Sequence, residues 1–259
     1  MPSGNEIVVD RRADGLCTIT IDRPQKHNAL ARSVLAAIAS AVDHASHLPQ
    51  TRLLLLKGAG DKYFAAGGDL QDLSSVRDEA ATNAMADEAR LALDTIRRAP
   101  VPVIAVLNGD AIGGGAELAL ACDMRLQAAT ARIGFIQARL AITSAWGGGA
   151  DLFQLVGGAR ALRMMSRCEL VDPQQALAWG LADGVLNDGP DGSDLQAFLE
   201  PLLAVAPQVL RGIKAQAIAW RFGVSSDVAR AVERDHLVRT WLHEDHWAAA
   251  DRLLARSKR

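Results

Sequence analysis

Two short stretches hold residues of the type and spacing that chemistry needs. The first is AIGGGAELALACD, residues 111–123. Gly113, Gly114 and Gly115 end an apolar run, and Glu117 follows as a lone carboxylate among Ala116, Leu118, Ala119, Leu120 and Ala121. The second is KYFAAGGDL, residues 62–70, where Gly67 and Gly68 also follow an apolar strand. Glycine has no side chain, so a ligand can touch the backbone there. Amide N–H groups at a helix start lack partners, and the helix dipole favours negative charge beside them. Two such amides aimed at one point form an oxyanion hole. A carboxylate among alanines and leucines is costly to bury. One reading makes Glu117 a general acid or base beside the amides of Gly113–Gly115. The alternatives are a cap on the helix start or the partner of an arginine such as Arg125. Neither stretch holds GK[ST], and GxGxxG is absent, so the common nucleotide fingerprints are missing.

Elements must position these residues. EIVVDRR and LCTITIDRP read as paired strands joined near Asp14-Gly15. Residues 31–47 have helical spacing and end before Pro49. LLLLK (53–57) and VPVIAVLNG (101–109) read as buried strands of the parallel kind. Each precedes one of the two glycine turns, and each turn is expected to open a helix. An amphipathic helix is expected over 83–98, another helix over 116–121, and strands at MRLQAA and ARIGF. This alternation predicts an α/β fold. Past residue 147 the pattern turns helical, at 150–156, 158–166, 173–180, 194–205, 207–220 and 226–242. One short strand is expected at GVLND (184–188). Pro and Gly at 189–192 divide a core, 1–190, from a helical region, 191–259, that packs on the core or on a neighbouring subunit.

Composition narrows the function. The chain has 259 residues, 49% hydrophobic, with a formal net charge of -2 and no block of Lys or Arg. That disfavours nucleic acid or an anionic membrane as partner. Cys17, Cys122 and Cys168 form no CxxC pair, which suits a reducing compartment. MPSGNEIVVDRR has no apolar core behind a basic start, and no apolar run reaches membrane-spanning length, so a soluble cytoplasmic protein is expected. His243 and His246 sit three apart without an acid-rich pocket and read as surface residues, so no metal is expected. The basic RLLARSKR end reads as a solvated helix terminus.

Taken together, IDRPQKHNAL (21–30), FAAGGDL (64–70), PVIAVLNGDAIGGGAELALACDMRL (102–126) and DPQQALAWGLADGV (172–185) resemble the crotonase superfamily, the enoyl-CoA hydratase/isomerase family. The resemblance covers most of the chain. It implies a spiral core of ββα units with a helical C-terminal region, assembled as a trimer or a pair of trimers. It implies an acyl-CoA thioester substrate, with coenzyme A only as part of that substrate and no separate cofactor. By motif position, the N–H groups of Gly68 and Gly114 form the oxyanion hole for a thioester enolate, beside Gly113. The loop holding Lys26, His27 and Ala29 matches the segment along the CoA moiety. Ala66, Asp69 and Leu70 match its adenine and pantetheine side. Asp69 and Asp123 are expected to be structural rather than chemical. RNA-binding members of the family carry a lysine-rich helix, but the matching stretch here, LAAIASAVDHASH, has no lysine.

The chain departs from the family at one chemical position. Hydratases of this type carry two glutamates. Glu117 matches the first, and within IGFIQARLAITSAWGGG (133–149) the second falls on Gln137. Glutamine orients water but transfers no proton at ordinary pH. An acid from 72–90 (Asp72, Asp78, Glu79, Asp87 or Glu88), in a segment that could act as a lid, is one possible replacement. Ala145 and bulky Trp146 also replace the usual small residues. SAWGGG is similar to the SWGG stretch of ethylmalonyl-CoA decarboxylase-like members, with Trp146 shaping an apolar acyl pocket or simply filling core. Arg139 is a candidate partner for a substrate carboxylate, or else a salt-bridge residue. The leading expectation is an enoyl-CoA hydratase-like lyase with Glu117 as acid/base. A methyl- or ethylmalonyl-CoA decarboxylase using Glu117 alone, and a non-catalytic acyl-CoA-binding relative, are the alternatives.

Overall fold

The structure is a computed structural model that describes residues 6–256. The expectations for the first five residues and for the last three of RLLARSKR lie outside the described residues. In chain order the elements are β1 (Ile7–Arg11), β2 (Leu16–Ile21), α1 (Arg32–His47), β3 (Leu53–Gly58) and β4 (Tyr63–Ala65). Next come α2 (Glu79–Arg98), β5 (Val103–Leu107), β6 (Asp110–Ile112), α3 (Gly114–Ala121), β7 (Met124–Ala128) and β8 (Ile133–Gly134). They are followed by α4 (Gly148–Val156), α5 (Gly158–Ser166), β9 (Leu170–Val171), α6 (Pro173–Trp179) and β10 (Gly184–Leu186). Four helices finish the chain: α7 (Ser193–Leu203), α8 (Pro207–Arg221), α9 (Ser226–Trp241) and α10 (Glu244–Arg256).

The strands form two sheets. One runs β1-β2-β3-β5-β7-β10, with β1 antiparallel to β2 and the rest parallel. The other runs β4-β6-β8-β9, parallel except for its last pair. The first sheet is covered on both faces, and its central strands β3 and β5 are accordingly apolar apart from Lys57. Side chains alternate faces along a strand. Leu54 and Leu56 of β3 and Val103, Ala105 and Leu107 of β5 join the main core with α1, α2 and α3. Leu53 and Leu55, with Ile104 and Val106, point the other way and pack against Leu195 and Leu199 of α7. The expected helical region after 190 therefore begins as a cover for the sheet.

Several expectations need adjusting. Helix α2 begins at Glu79 rather than at 83, because Asp78 caps it by accepting from Ala81 N–H at 2.8 Å. The turn at Gly67-Gly68 does not open a helix directly, since a short 3-10 turn at Asp72–Ser75 intervenes. Of the second sheet only β8 was foreseen, within the strand expected at ARIGF; β4, β6 and β9 were not, because each has only two or three residues. Two buried asparagines help seat it. Asn108 accepts from Gly58 N–H and donates to Gly60 O and Tyr63 O. Asn28 donates to Ala59 O and Tyr63 O. The loop joining the two sheets is thereby pinned, and it delivers the chain to Gly67.

Candidate active site

The two glycine stretches meet at one cavity. After β4 the chain turns at Ala66-Gly67-Gly68. Leu30 N–H donates to Gly67 O at 2.8 Å, and Asp69 N–H donates to Leu30 O at 3.1 Å. This bridge leaves Gly68 N–H with no acceptor among the described residues. On the other side, Gly113 N–H donates to Gly134 O at 2.8 Å. Gly113 holds φ +57° and ψ -119°, a conformation closed to residues with a side chain. Helix α3 then starts, and Gly114 N–H also has no acceptor among the described residues. The Trp146 indole lies across both glycines. A Cβ on Gly114 would fall 2.3 Å from its Cζ3, and one on Gly68 would fall 3.6 Å from its Cη2.

The cavity between these walls holds about 360 Å³. Leu70, Leu73, Met85, Leu140 and Ile142 make much of it apolar. Glu117 is the only acid among the described residues that line it. The carboxylate is 2% exposed as a residue and firmly placed. Oε2 accepts from Trp146 N–H at 3.0 Å and Gly148 N–H at 3.1 Å, and Oε1 accepts from Gln137 Nε2 at 3.0 Å. Burial pushes the Glu117 carboxyl above its ordinary value, although Gly148 N–H, Trp146 N–H, Gln137 and the Arg97 charge all pull it back. Gln137 Oε1 is buried and without a partner. A flipped Gln137 amide would accept from a protonated Glu117, so this residue can serve both protonation states.

The remaining sequence candidates fall into two groups. Ala66, Gly68, Leu70, Gly113, Gly114, Glu117, Gln137, Ala145 and Trp146 line the cavity. Lys26, His27, Ala29 and Asp69 do not. The loop holding the first three abuts the cavity wall through Ala66 N–H, which donates to His27 O at 3.1 Å. His27 is exposed and its ring lies 4.7 Å from that of Tyr63. The Asp69 carboxylate takes Arg23 Nη2 at 3.0 Å and the N–H groups of Gln71 and Asp72. Burial would raise this carboxyl, but the bonds from Arg23, Asp72 and Gln71 and the nearby Lys26 charge outweigh it and hold it below its ordinary value. Asp69 is thus occupied in fixing the Gly68 turn. Asp123 is equally engaged, by Val103 N–H and Lys214.

The alternative pairing for Glu117 is not what the chain adopts. Arg125 bonds Asp183 at 3.2 Å and Leu181 O at 2.8 Å instead. None of Asp72, Asp78, Glu79, Asp87 or Glu88 lines the cavity; the 72–90 segment supplies Leu73 and Met85. Sequence reading missed these two, whose signal was only the apolar stripe of an amphipathic segment. Arg139 does line the cavity and has no carboxylate partner among the described residues, its Nη2 donating to Cys168 O at 3.3 Å. His243 bonds Gln208, and His246 stacks on Trp241.

A ββα core whose two glycine turns flank one buried carboxylate defines an α/β protein of the crotonase fold. The chain belongs to the enoyl-CoA hydratase/isomerase family, whose sequence profile matches residues 11–244. It is a crotonase-family enzyme acting on acyl-CoA. The ethylmalonyl-CoA decarboxylase of Xenopus laevis is 28% identical over 221 residues, covering 85% of this chain and 74% of that protein. The crotonyl-CoA hydratase of Syntrophomonas wolfei is 30% identical over 230 residues, covering 88% of this chain and 86% of that one. The crystal structure of an enoyl-CoA hydratase from Bacillus anthracis superposes with a TM-score of 0.89 at 26% identity, covering 97% of both chains. No helix among the described residues is long and apolar enough to cross a membrane.

Proposed function

We propose that this enzyme releases CO2 from a malonyl-type acyl-CoA, such as methyl- or ethylmalonyl-CoA. The observation that carries this reading is the single cavity carboxyl, Glu117, whose burial favours its protonated form. The Gly68 and Gly114 N–H groups donate to the thioester oxygen. The Cα–CO2 bond breaks, its electron pair becomes the enolate double bond, and CO2 leaves. The two amides stabilise the enolate oxygen more than the starting carbonyl, which is what lowers the barrier. Glu117 then gives its proton to Cα and recovers one from solvent, so the overall reaction consumes one proton. No base is required, which fits a site with one acid. When protonated, Glu117 also spares the substrate carboxylate a like charge. The Trp146 indole with Leu73, Met85 and Ile142 excludes water from that carboxylate, and CO2 loss relieves its poor solvation. The decarboxylase relatives agree with this reading.

The loop of Lys26, His27 and Ala29, with the outer side of Ala66 and Leu70, would carry the CoA moiety. No further cofactor, metal or nucleic acid is called for by this chemistry, and the assembly is a homo-oligomer built on trimers in a cytoplasmic setting. Hydration is the second reading. It is favoured by the Gln137 amide beside Glu117, which could orient a water, and by the hydratase relative.

A paired assay on the purified protein separates the readings. One arm offers crotonyl-CoA and follows loss of the conjugated thioester absorbance. The other offers methylmalonyl- and ethylmalonyl-CoA and follows CO2. We expect CO2 release without hydration, lowered at least about 100-fold by Glu117→Gln. Hydration without CO2 release would replace this proposal with the second reading. Binding of both esters without turnover would make the protein an acyl-CoA-binding relative.

A further inference from the structure

We infer that Arg97 is a positioning residue for Glu117, acting through the turn Trp146–Gly148. The inference rests on Glu117 being the proton donor proposed above. The two N–H groups that hold Glu117 Oε2 both belong to this turn. Its middle residue, Gly147, takes φ +93° and packs against the Arg97 guanidinium; a Cβ there would lie 2.9 Å from Nη2. Arg97 Nη2 donates to Trp146 O at 3.2 Å. Arg97 comes from the last turn of α2, far from the turn in sequence, and is 4% exposed.

Arg97 is itself held by two carboxylates. Its Nη1 donates to Asp94 at 2.9 Å. Its Nε and Nη2 donate to one oxygen of Asp151, in the first turn of α4, at 3.1 and 2.8 Å. The other Asp151 oxygen takes Arg221 of α8 at 2.9 Å. Arg221 also donates to Leu120 O and Ala121 O, the last carbonyls of α3. Helix α3 carries Glu117, so the chain of contacts closes on itself. It runs from Glu117 through the turn to Arg97, Asp151 and Arg221, and back to the far end of the same helix. A planar fork meets two carboxylates and a carbonyl at once, which the point charge of lysine cannot do.

Charge enters as well as geometry. The groups around Glu117 are Arg97 and Asp94 on α2, Asp151 on α4, Arg221 on α8, and Arg139 and neutral Gln137 on the cavity wall. Arg97 is the cation that bonds the turn itself. Removing it takes away a nearby positive charge and slackens two N–H donors. Both changes make the Glu117 carboxyl harder to ionise.

The test uses the full-length enzyme labelled with 13C at glutamate carboxyls, Glu117 being assigned with Glu117→Gln. The carboxyl is titrated by NMR in the wild type, Arg97→Met, Arg97→Lys and Arg221→Met, and kcat and KM for CO2 release from ethylmalonyl-CoA are followed against pH. For Arg97→Met we expect the Glu117 titration and the alkaline limb of kcat to move together to higher pH. We expect kcat to fall about 100-fold, as misplacement of a reacting group does, with KM within about twofold. Arg97→Lys should shift the titration less than Arg97→Met, and Arg221→Met should lower the melting temperature with a smaller shift still. If Arg97→Met does not fold, Arg97→Lys carries the test. An unmoved titration in a folded Arg97 variant overturns the inference and leaves Arg97 structural. A moved titration in an enzyme that releases no CO2 leaves the inference standing and overturns the proposed reaction instead.

Discussion

Glu117 is poised by opposed influences, and its protonation should be visible in stability as well as in rate. Burial raises its pKa, while two backbone N–H groups, Gln137 and Arg97 lower it, with burial ahead. An unfolded glutamate titrates near about 4.3. Because the folded value is higher, the native state binds the proton more tightly than the unfolded state does. The stabilisation this confers is full below the unfolded value and is lost as pH rises through the folded one. Glu117→Gln removes that dependence. Its amide oxygen keeps the bonds from Trp146 and Gly148, and its NH2 finds the unpartnered Gln137 Oε1 once that amide flips. The variant should therefore melt above the wild type by a few degrees at pH 8 and by less at pH 5, since roughly 1 kcal/mol is worth about 2–4 °C at this size. Differential scanning calorimetry at the two pH values measures it. A difference that grows toward pH 5 would mean that Glu117 is ionised more readily in the fold than free.

At the scale of elements, α3 is wedged between β4 and the Trp146 turn, and consecutive glycines make each contact possible. A Cβ on Gly114 would meet the indole of Trp146 at 2.3 Å, whereas one on Gly115 would meet Ala65 O at 2.0 Å. A side chain can yield and a backbone carbonyl in a strand cannot. Gly114→Ala should then cost about 1–3 kcal/mol alone. Combined with Trp146→Leu it should cost less than the sum of the two single changes, by about 1 kcal/mol or more. Gly115→Ala should show no such rescue. Urea denaturation of the three single and two double variants checks this, and additivity at Gly114 would show that the indole does not lie over α3. The same elements mark how far the sequence could be read. LLLLK, VPVIAVL and the apolar run around Glu117 were legible because these pieces are buried on every side. The strands β4, β6 and β9 were not, because two or three residues have no period; β8 was legible only as part of the apolar stretch ARIGF. Asn28 and Asn108 pass for breaks in an apolar pattern, yet both pin the inter-sheet loop. Nothing in the sequence distinguishes Arg97 from its neighbour Arg98, which lies 3.9 Å over the Phe222 ring; only packing places Arg97 against the turn that holds Glu117.

Over the whole molecule, the core and the C-terminal helices have different relations to solvent. Helix α8 is bound to the core by Lys214, which meets Asp123, and by Arg221, which meets Asp151 and the end of α3. Helix α9 packs on α8 and α10 follows it, and neither contains a buried residue. The exposed apolar side chains here nonetheless include Leu242, between the two helices, at 73%, Leu253 at 66% and Leu254 at 61%, and Trp220 on α8 reaches 74%. Large exposed apolar surface of this kind marks an interaction face. Its regular placement on terminal helices suits further copies of the same chain, in line with the trimer that the sequence resemblance implies. Sedimentation velocity should give a mass of three or six times 27.5 kDa. Replacing Leu253 and Leu254 together by Asp should move it toward a single chain, because charges at the centre of an apolar contact remain unpaired. A wild type sedimenting as one chain at micromolar concentration would sink the idea. If the dissociated variant keeps full CO2 release, the site is complete within one chain, as the contacts of Glu117, Gly68 and Gly114 suggest. If activity falls while the fold is retained, the C-terminal helices support the site through assembly, transmitted along the Arg221–Asp151–Arg97 connection that joins α8 to α3.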